Sequence, residues 1–196
     1  MIYNPEKHHR RSIRLRDYDY SQSGAYFVTI CSWSRECLFG DVVNGEMRLN
    51  ESGEMVIRTW EDLPNHYGNV TLDEFIIMPN HVHGIVILFS GDVGAGLKPA
   101  HSDADMDSNR AGLKPAPTKQ HGLSEIVRAF KTYSARRINE IRNTPSLPVW
   151  QRNYYEHIIR NEDELNRIQE YIINNPLQWA EDENNPENLK GLGDDL

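Results

Sequence analysis

Only two cysteines, Cys31 and Cys37, occur in 196 residues. They are too few for a disulfide framework and lack the spacing of metal-ligating pairs, which fits a reducing compartment. No uninterrupted apolar run approaches the roughly 20 residues that cross a bilayer, and apolar residues make up 38% of the chain, so a membrane span is not expected. The N-terminal stretch MIYNPEKHHRRSIRLRDY is basic but has no apolar core behind it, so it does not read as a secretory signal. These absences together lead to an expected cytoplasmic location and no membrane partner.

An overall excess of positive charge is also missing, since the net charge is −8. Distribution matters more than the sum, because a partner responds to the field within about 10 Å. Five basic residues (Lys7, Arg10, Arg11, Arg14, Arg16) lie between positions 7 and 16 with no acid among them. From Glu181 to Leu196 there are six acids against Lys190. A basic groove and an acidic end can therefore coexist in one chain, whose length suits a single domain with appendages.

Within that domain, GAYFVTICSW (24–33) alternates and is rich in β-branched and aromatic residues, so it reads as a strand. Asn44-Gly45, between short apolar runs, signals a type I′ hairpin turn. Met55, Val56, Thr59, Trp60 and Leu63 recur at helical spacing up to about Pro64. NVTLDEFIIMPN and HVHGIVILF read as two further strands broken at Pro79-Asn80.

Positions 91–120 are different: Gly, Pro, Ala, Ser and Asp dominate, and AGLKPA occurs at 95–100 and again at 111–116. The segment reads as a flexible insertion, or as a translated repeat of a DNA element. Beyond it, Leu123, Ile126, Val127, Phe130, Tyr133 and Ile138 form an apolar helical stripe with Ser124 as N-cap. Arg128, Lys131, Arg136 and Arg137 line its other face, a basic stripe suited to nucleic acid. PVWQRNYYEHII (148–159) is a final strand, and a final helix starts at the Asn161 cap and ends before Pro176.

Without the insertion the core order is β-α-β-β-α-β, an α+β, ferredoxin-like antiparallel sheet with an added hairpin and a further C-terminal helix. The expected layout is a basic arm at 1–20, a domain at 21–180 and an acidic tail at 181–196.

The chemistry is concentrated in MPNHVHGIVIL. His81 and His83, two apart on a strand, point to the same side, as metal-ligating imidazoles would. Tyr171 and Asn175, four apart in EYIINNP, share a helical face. The Asn oxygen is a hard ligand that can join two imidazoles on a divalent cation, with the tyrosine one turn away as a nucleophile.

The segments YFVTICSW, LFGDVVNGEMRLN, DEFIIMPNHVHGIVIL, FKTYSARRIN, VWQRNYYEHIIRNEDEL and YIINNP, in this order, resemble the HUH single-tyrosine transposases of insertion sequences, and most of all the REP-associated tyrosine transposases. The resemblance runs from about Arg11 to Trp179, apart from the insertion. It implies cleavage of single-stranded DNA beside a hairpin (a REP-like palindrome), through a 5′-phosphotyrosine and a free 3′-OH. The resemblance makes His81 and His83 ligands of Mg2+ or Mn2+, Tyr171 the nucleophile and Asn175 the third ligand, and it allows a homodimer as well as a monomer.

Tyr154 and Tyr155 remain rival nucleophiles, although neither has an Asn or Gln four residues later. Asn174 competes with Asn175. His157 is expected to pack, with a DNA contact as the alternative. Two other functions stay open: a non-catalytic binder of DNA hairpins, and a metal-dependent phosphoesterase that uses bound water.

Overall fold

The computed structural model describes residues 18–89 and 120–189. The arm residues Arg10, Arg11, Arg14 and Arg16, and the 91–120 insertion up to position 119, lie outside the described residues.

Four strands form the main sheet: β1 (Gly24–Cys31), β4 (Val70–Met78), β5 (His81–Leu88) and β6 (Tyr155–Ile159). Their spatial order is β4-β5-β1-β6, and every neighbouring pair is antiparallel. Together with α1 (Glu51–Glu61) and α3 (Leu123–Ile141) this is the expected ferredoxin-like arrangement. A separate two-stranded hairpin, β2 (Gly40–Val43) and β3 (Glu46–Leu49), is inserted between β1 and α1. Asn44 (φ 55°) and Gly45 (φ 77°) turn it, as a type I′ turn requires. After α1 comes the short α2 (Leu63–His66), and the chain closes with α4 (Glu162–Asn174), a 3-10 segment (Asn175–Glu181) and α5 (Pro186–Leu189).

Alternation along the strands divides the domain into two layers. Tyr26, Val28, Ile30, Val82 and Val86 point into one core with Val56 and Trp60 of α1 and Leu123, Ile126, Val127, Phe130 and Ile138 of α3. Phe27, Ile85 and Ile159 point the opposite way, into a smaller cluster with Ile172 of α4. Gly84 lets Trp60 approach β5: a Cβ there would come within 2.5 Å of the indole, which stacks on Phe75 at 4.6 Å. The glycine inside a strand is thus a packing requirement.

The helix starts follow from side-chain capping. Asn50 accepts from the amides of Ser52 and Gly53, and Asn161 accepts from Glu164 N. Helix α3 departs from the expected start. It begins at Leu123 after Gly122, without a side-chain cap, and Ser124 is already in its first turn. Tyr133 leaves the expected stripe too: it is exposed and stacks near His66, while Ser134 is buried and receives the Trp150 indole N–H at 2.9 Å. The last strand is shorter than expected. Trp150 makes one bridge to Ser32, but Gln151, Arg152 and Asn153 turn their carbonyls to the Lys131 ammonium, and ladder pairing starts only at Tyr155.

Candidate metal and tyrosine site

The two histidines lie on the α4 side of the sheet. In the ladder, His81 is opposite Cys31 and Met78, and His83 is opposite Thr29 and Ile76. Both imidazoles are almost completely buried, and their Nε2 atoms are 3.0 Å apart.

The surrounding hydrogen bonds determine what those nitrogens can do. Asn80 donates its amide hydrogens to the carbonyls of Arg35 (2.9 Å) and Asn184 (2.7 Å), so its Oδ1 accepts from His81 Nδ1 at 2.9 Å. A neutral His81 then has its lone pair on Nε2. Thr29 Oγ1 is 2.8 Å from His83 Nδ1 and serves as donor or acceptor. Burial pushes both histidines down to about 3, helped by Arg35 at His81 and by His81 at His83. Two neutral imidazole nitrogens this close share either a proton or a cation. For an octahedral cation with bonds of about 2.1 Å, two adjacent ligands are separated by about 3 Å.

Helix α4 brings the tyrosine. The Tyr171 hydroxyl is 3.4 Å from His83 Nε2, and its ring meets Phe27 and His83 edge-on. Phe27 in turn stacks on His83 with centroids 5.4 Å apart, so the three rings form one mutually contacting cluster. Burial raises the Tyr171 hydroxyl pKa and Asp182 adds to the rise, while a hydrogen bond from Asn175 lowers it. Asn175 closes α4 with its side chain buried and its Oδ1 without a partner. Asn174 is only half-buried.

Asp182 was missed when 181–196 was read as an acidic tail. Its Oδ2 is 3.8 Å from His81 Nε2, and ligand atoms of His81, His83 and Asp182 all lie within 4.8 Å of one another. The segment is held because Arg35 donates to the Glu183 carbonyl at 2.8 Å while Asn80 takes that of Asn184. The signal in the sequence was DENNP, whose turn residues a free tail does not need: Asp182 Oδ1 accepts from Asn184 N at 2.6 Å. Asn80 and Thr29, which orient the imidazoles, were missed as well.

A cleft of about 440 Å³ opens above His83 and is lined also by Thr29, Tyr154, Tyr155 and Tyr171. Tyr155 pairs with Thr29 in the ladder and so shares the histidine face; its ring stands against Phe27. His157 is half-buried and hydrogen-bonds Glu164 at 2.8 Å, so it does more than pack.

The basic stripe of α3 lies across the sheet from the histidines. Arg128 and Arg137 are exposed, and Arg136 pairs with Glu140 at 3.2 Å. Lys131 is half-buried, and burial brings it down to about 8. No helix among the described residues is long and apolar enough to cross a membrane.

No family model matches the chain. A protein of Haemophilus influenzae that carries no functional description is 44% identical over 184 residues, covering 92% of this chain and 96% of its own. The chain belongs to the same family as that protein. In three dimensions it is similar to a REP-associated tyrosine transposase solved bound to a REP hairpin, with a TM-score of 0.52 at 19% identity over 84% of this chain and 73% of the other. At that identity the likeness is one of fold, and the fold is the one the sequence segments led us to expect.

The buried residues fit a divalent cation. Two imidazole nitrogens face each other, a carboxylate stands beside them, and the Asn175 oxygen lacks a partner. Nitrogen and oxygen donors together suit Mn2+ well and Mg2+ through the oxygens.

Proposed function

We propose that this chain is a metal-dependent single-stranded DNA nuclease and strand transferase, a transposase that cleaves beside a DNA hairpin with Tyr171 as nucleophile. The observation that carries this reading is the Tyr171 hydroxyl, 3.4 Å from Nε2 of His83, in a buried histidine pair whose facing nitrogens suit a cation. The hairpin as substrate is supported by the fold's likeness to a transposase solved with a REP hairpin.

His81, His83 and Asn175 would hold Mn2+ or Mg2+, and Asp182 would add a carboxylate from the C-terminal segment. A cation held there would supply charge neutralisation to a phosphate brought to the site. Tyr171 would supply its phenol oxygen and release its proton to water. The P–O3′ bond breaks as the new P–O bond forms, leaving a 5′-phosphotyrosine, while the departing oxygen takes up a proton as a free 3′-OH. His83 Nε2, 3.4 Å from the phenol, would serve either as its hydrogen-bond partner or as a ligand of the cation. Phe27 keeps the tyrosine ring at the mouth of the cleft.

The test is nicking of a labelled single-stranded hairpin by the full chain. Cleavage should appear with Mn2+, disappear with EDTA and fall by at least 100-fold in His81→Ala and in His83→Ala. Undiminished cleavage in EDTA would overturn the metal-dependent reading.

A further inference from the structure

Two grooves flank the cleft, and they differ in charge. One, about 260 Å³, is lined by Glu181, Asp182 and Glu183 beside Tyr171 and Asn175. The other, about 500 Å³, runs between α3 and positions 147–154, with Arg128, Lys131 and Arg152 in its walls and no acid among its lining residues. The second joins the cleft directly, because Gln151 and Tyr154 line both.

We propose that this basic groove is the track for the unpaired nucleotides that flank the hairpin, leading the single strand from the phosphate at Tyr171 over Tyr154 to α3. The proposal rests on the reading of the chain as a DNA-cleaving enzyme and goes beyond it by naming the path and the residues. A single strand needs a positive channel for its backbone and apolar or aromatic surfaces for its bases. Here both occur together: Arg128 and Arg152 are exposed at the rim, while exposed Leu147 and half-buried Tyr154 supply an apolar and an aromatic surface in the same groove, backed by the buried Val149 and Trp150. The volume is in the range that encloses a small ligand.

Lys131 has a separate task in this groove. It donates to the carbonyls of Gln151 (2.5 Å), Arg152 (3.0 Å) and Asn153 (3.4 Å) and so fixes the wall from which Tyr154 projects, 6.0 Å from its own ammonium. Lys131 is thus a positioning residue, and the phosphate contacts fall to the two arginines. The acidic groove on the other side repels the backbone, which leaves one direction open to the strand.

The experiment compares two oligonucleotides, a blunt hairpin and the same hairpin with an eight-nucleotide single-stranded extension, made in a 5′ and a 3′ version. Affinities are measured by fluorescence anisotropy for wild type, for the Arg128→Glu/Arg152→Glu double variant and for an Arg136→Glu/Arg137→Glu control. Both double variants alter exposed residues, and circular dichroism verifies that they fold. In wild type one of the two extensions should raise affinity about tenfold, in keeping with one or two stacked bases and a few phosphates. The Arg128→Glu/Arg152→Glu protein should bring that ratio to about one, whereas the control should weaken blunt and extended forms alike and keep the ratio. An unchanged ratio in the Arg128→Glu/Arg152→Glu protein would place the strand elsewhere and overturn the groove assignment while leaving hairpin binding intact. Failure of wild type to bind any of the oligonucleotides would instead overturn the parent reading, and the groove assignment with it.

Discussion

The two faces of the sheet use the same strand for opposite purposes. On β5, Val82, Gly84, Val86 and Leu88 face α1 and α3, where twenty buried apolar residues form one continuous core. His81, His83 and Ile85 face α4, where that core is replaced by four apolar residues and a polar cluster. A period of two therefore allows a 4-stranded sheet to be stabilised on one side and to do chemistry on the other. Stability should depend on the first face and metal binding on the second, and that division can be attacked by mutation.

The largest effect is expected from truncation on the packed face. Trp60→Ala or Phe130→Ala should cost about 3–5 kcal/mol in urea unfolding. His83→Ala should cost far less stability yet remove most Mn2+ affinity in calorimetry. Equal destabilisation by His83→Ala would mean that the two faces are not separable.

Gly84, on the packed face between the levels of His83 and Ile85, sharpens the contrast. Gly84→Ala pushes a methyl group into the Trp60 indole and should destabilise by about 1–3 kcal/mol through overpacking. Shortening the indole in the Gly84→Ala/Trp60→Phe double variant should return part of that loss, read as a non-additive cycle. A purely additive result would locate the strain elsewhere.

On the polar face, Asn80→Ala removes the acceptor that orients His81 and should weaken Mn2+ binding by about 10- to 100-fold. Asp182→Asn should weaken it as well if the carboxylate ligates the cation, whereas Asn174→Ala should not. These three titrations distinguish ligands from bystanders.

The division of the sheet was legible in the sequence because it depends on period alone. The β-α-β-β-α-β order, the type I′ turn at Asn44-Gly45 and the Asn161 cap are local signals, and the structure bears each of them out. Long-range contacts were not legible. Asp182 comes near His81 only because Arg35 and Asn80, far earlier in the chain, bind the carbonyls of Glu183 and Asn184. The shortened β6 likewise depends on Lys131, a residue of α3 that a helical wheel assigns to the basic face. A side chain that satisfies distant backbone carbonyls leaves no mark on composition or period.

A pH effect follows from that same Lys131. Its folded pKa is about 8 because of burial, below the unfolded value near 10.4, so between these values the unfolded chain binds more protons and stability rises with pH. Wild type should gain stability relative to Lys131→Met from about pH 8 to pH 10. Parallel pH curves for the two proteins would contradict this assignment.

The most direct measurement of what the polar face does is to trap the covalent complex of wild-type protein with a labelled single-stranded hairpin in Mn2+, digest it and identify the DNA-bearing peptide by mass spectrometry. The expected peptide carries the DNA on Tyr171, and Tyr171→Phe, whose ring still packs on Phe27, yields no adduct. An adduct on Tyr154 or Tyr155, or cleavage at the wild-type rate by Tyr171→Phe, would contradict the placement of the nucleophile on α4.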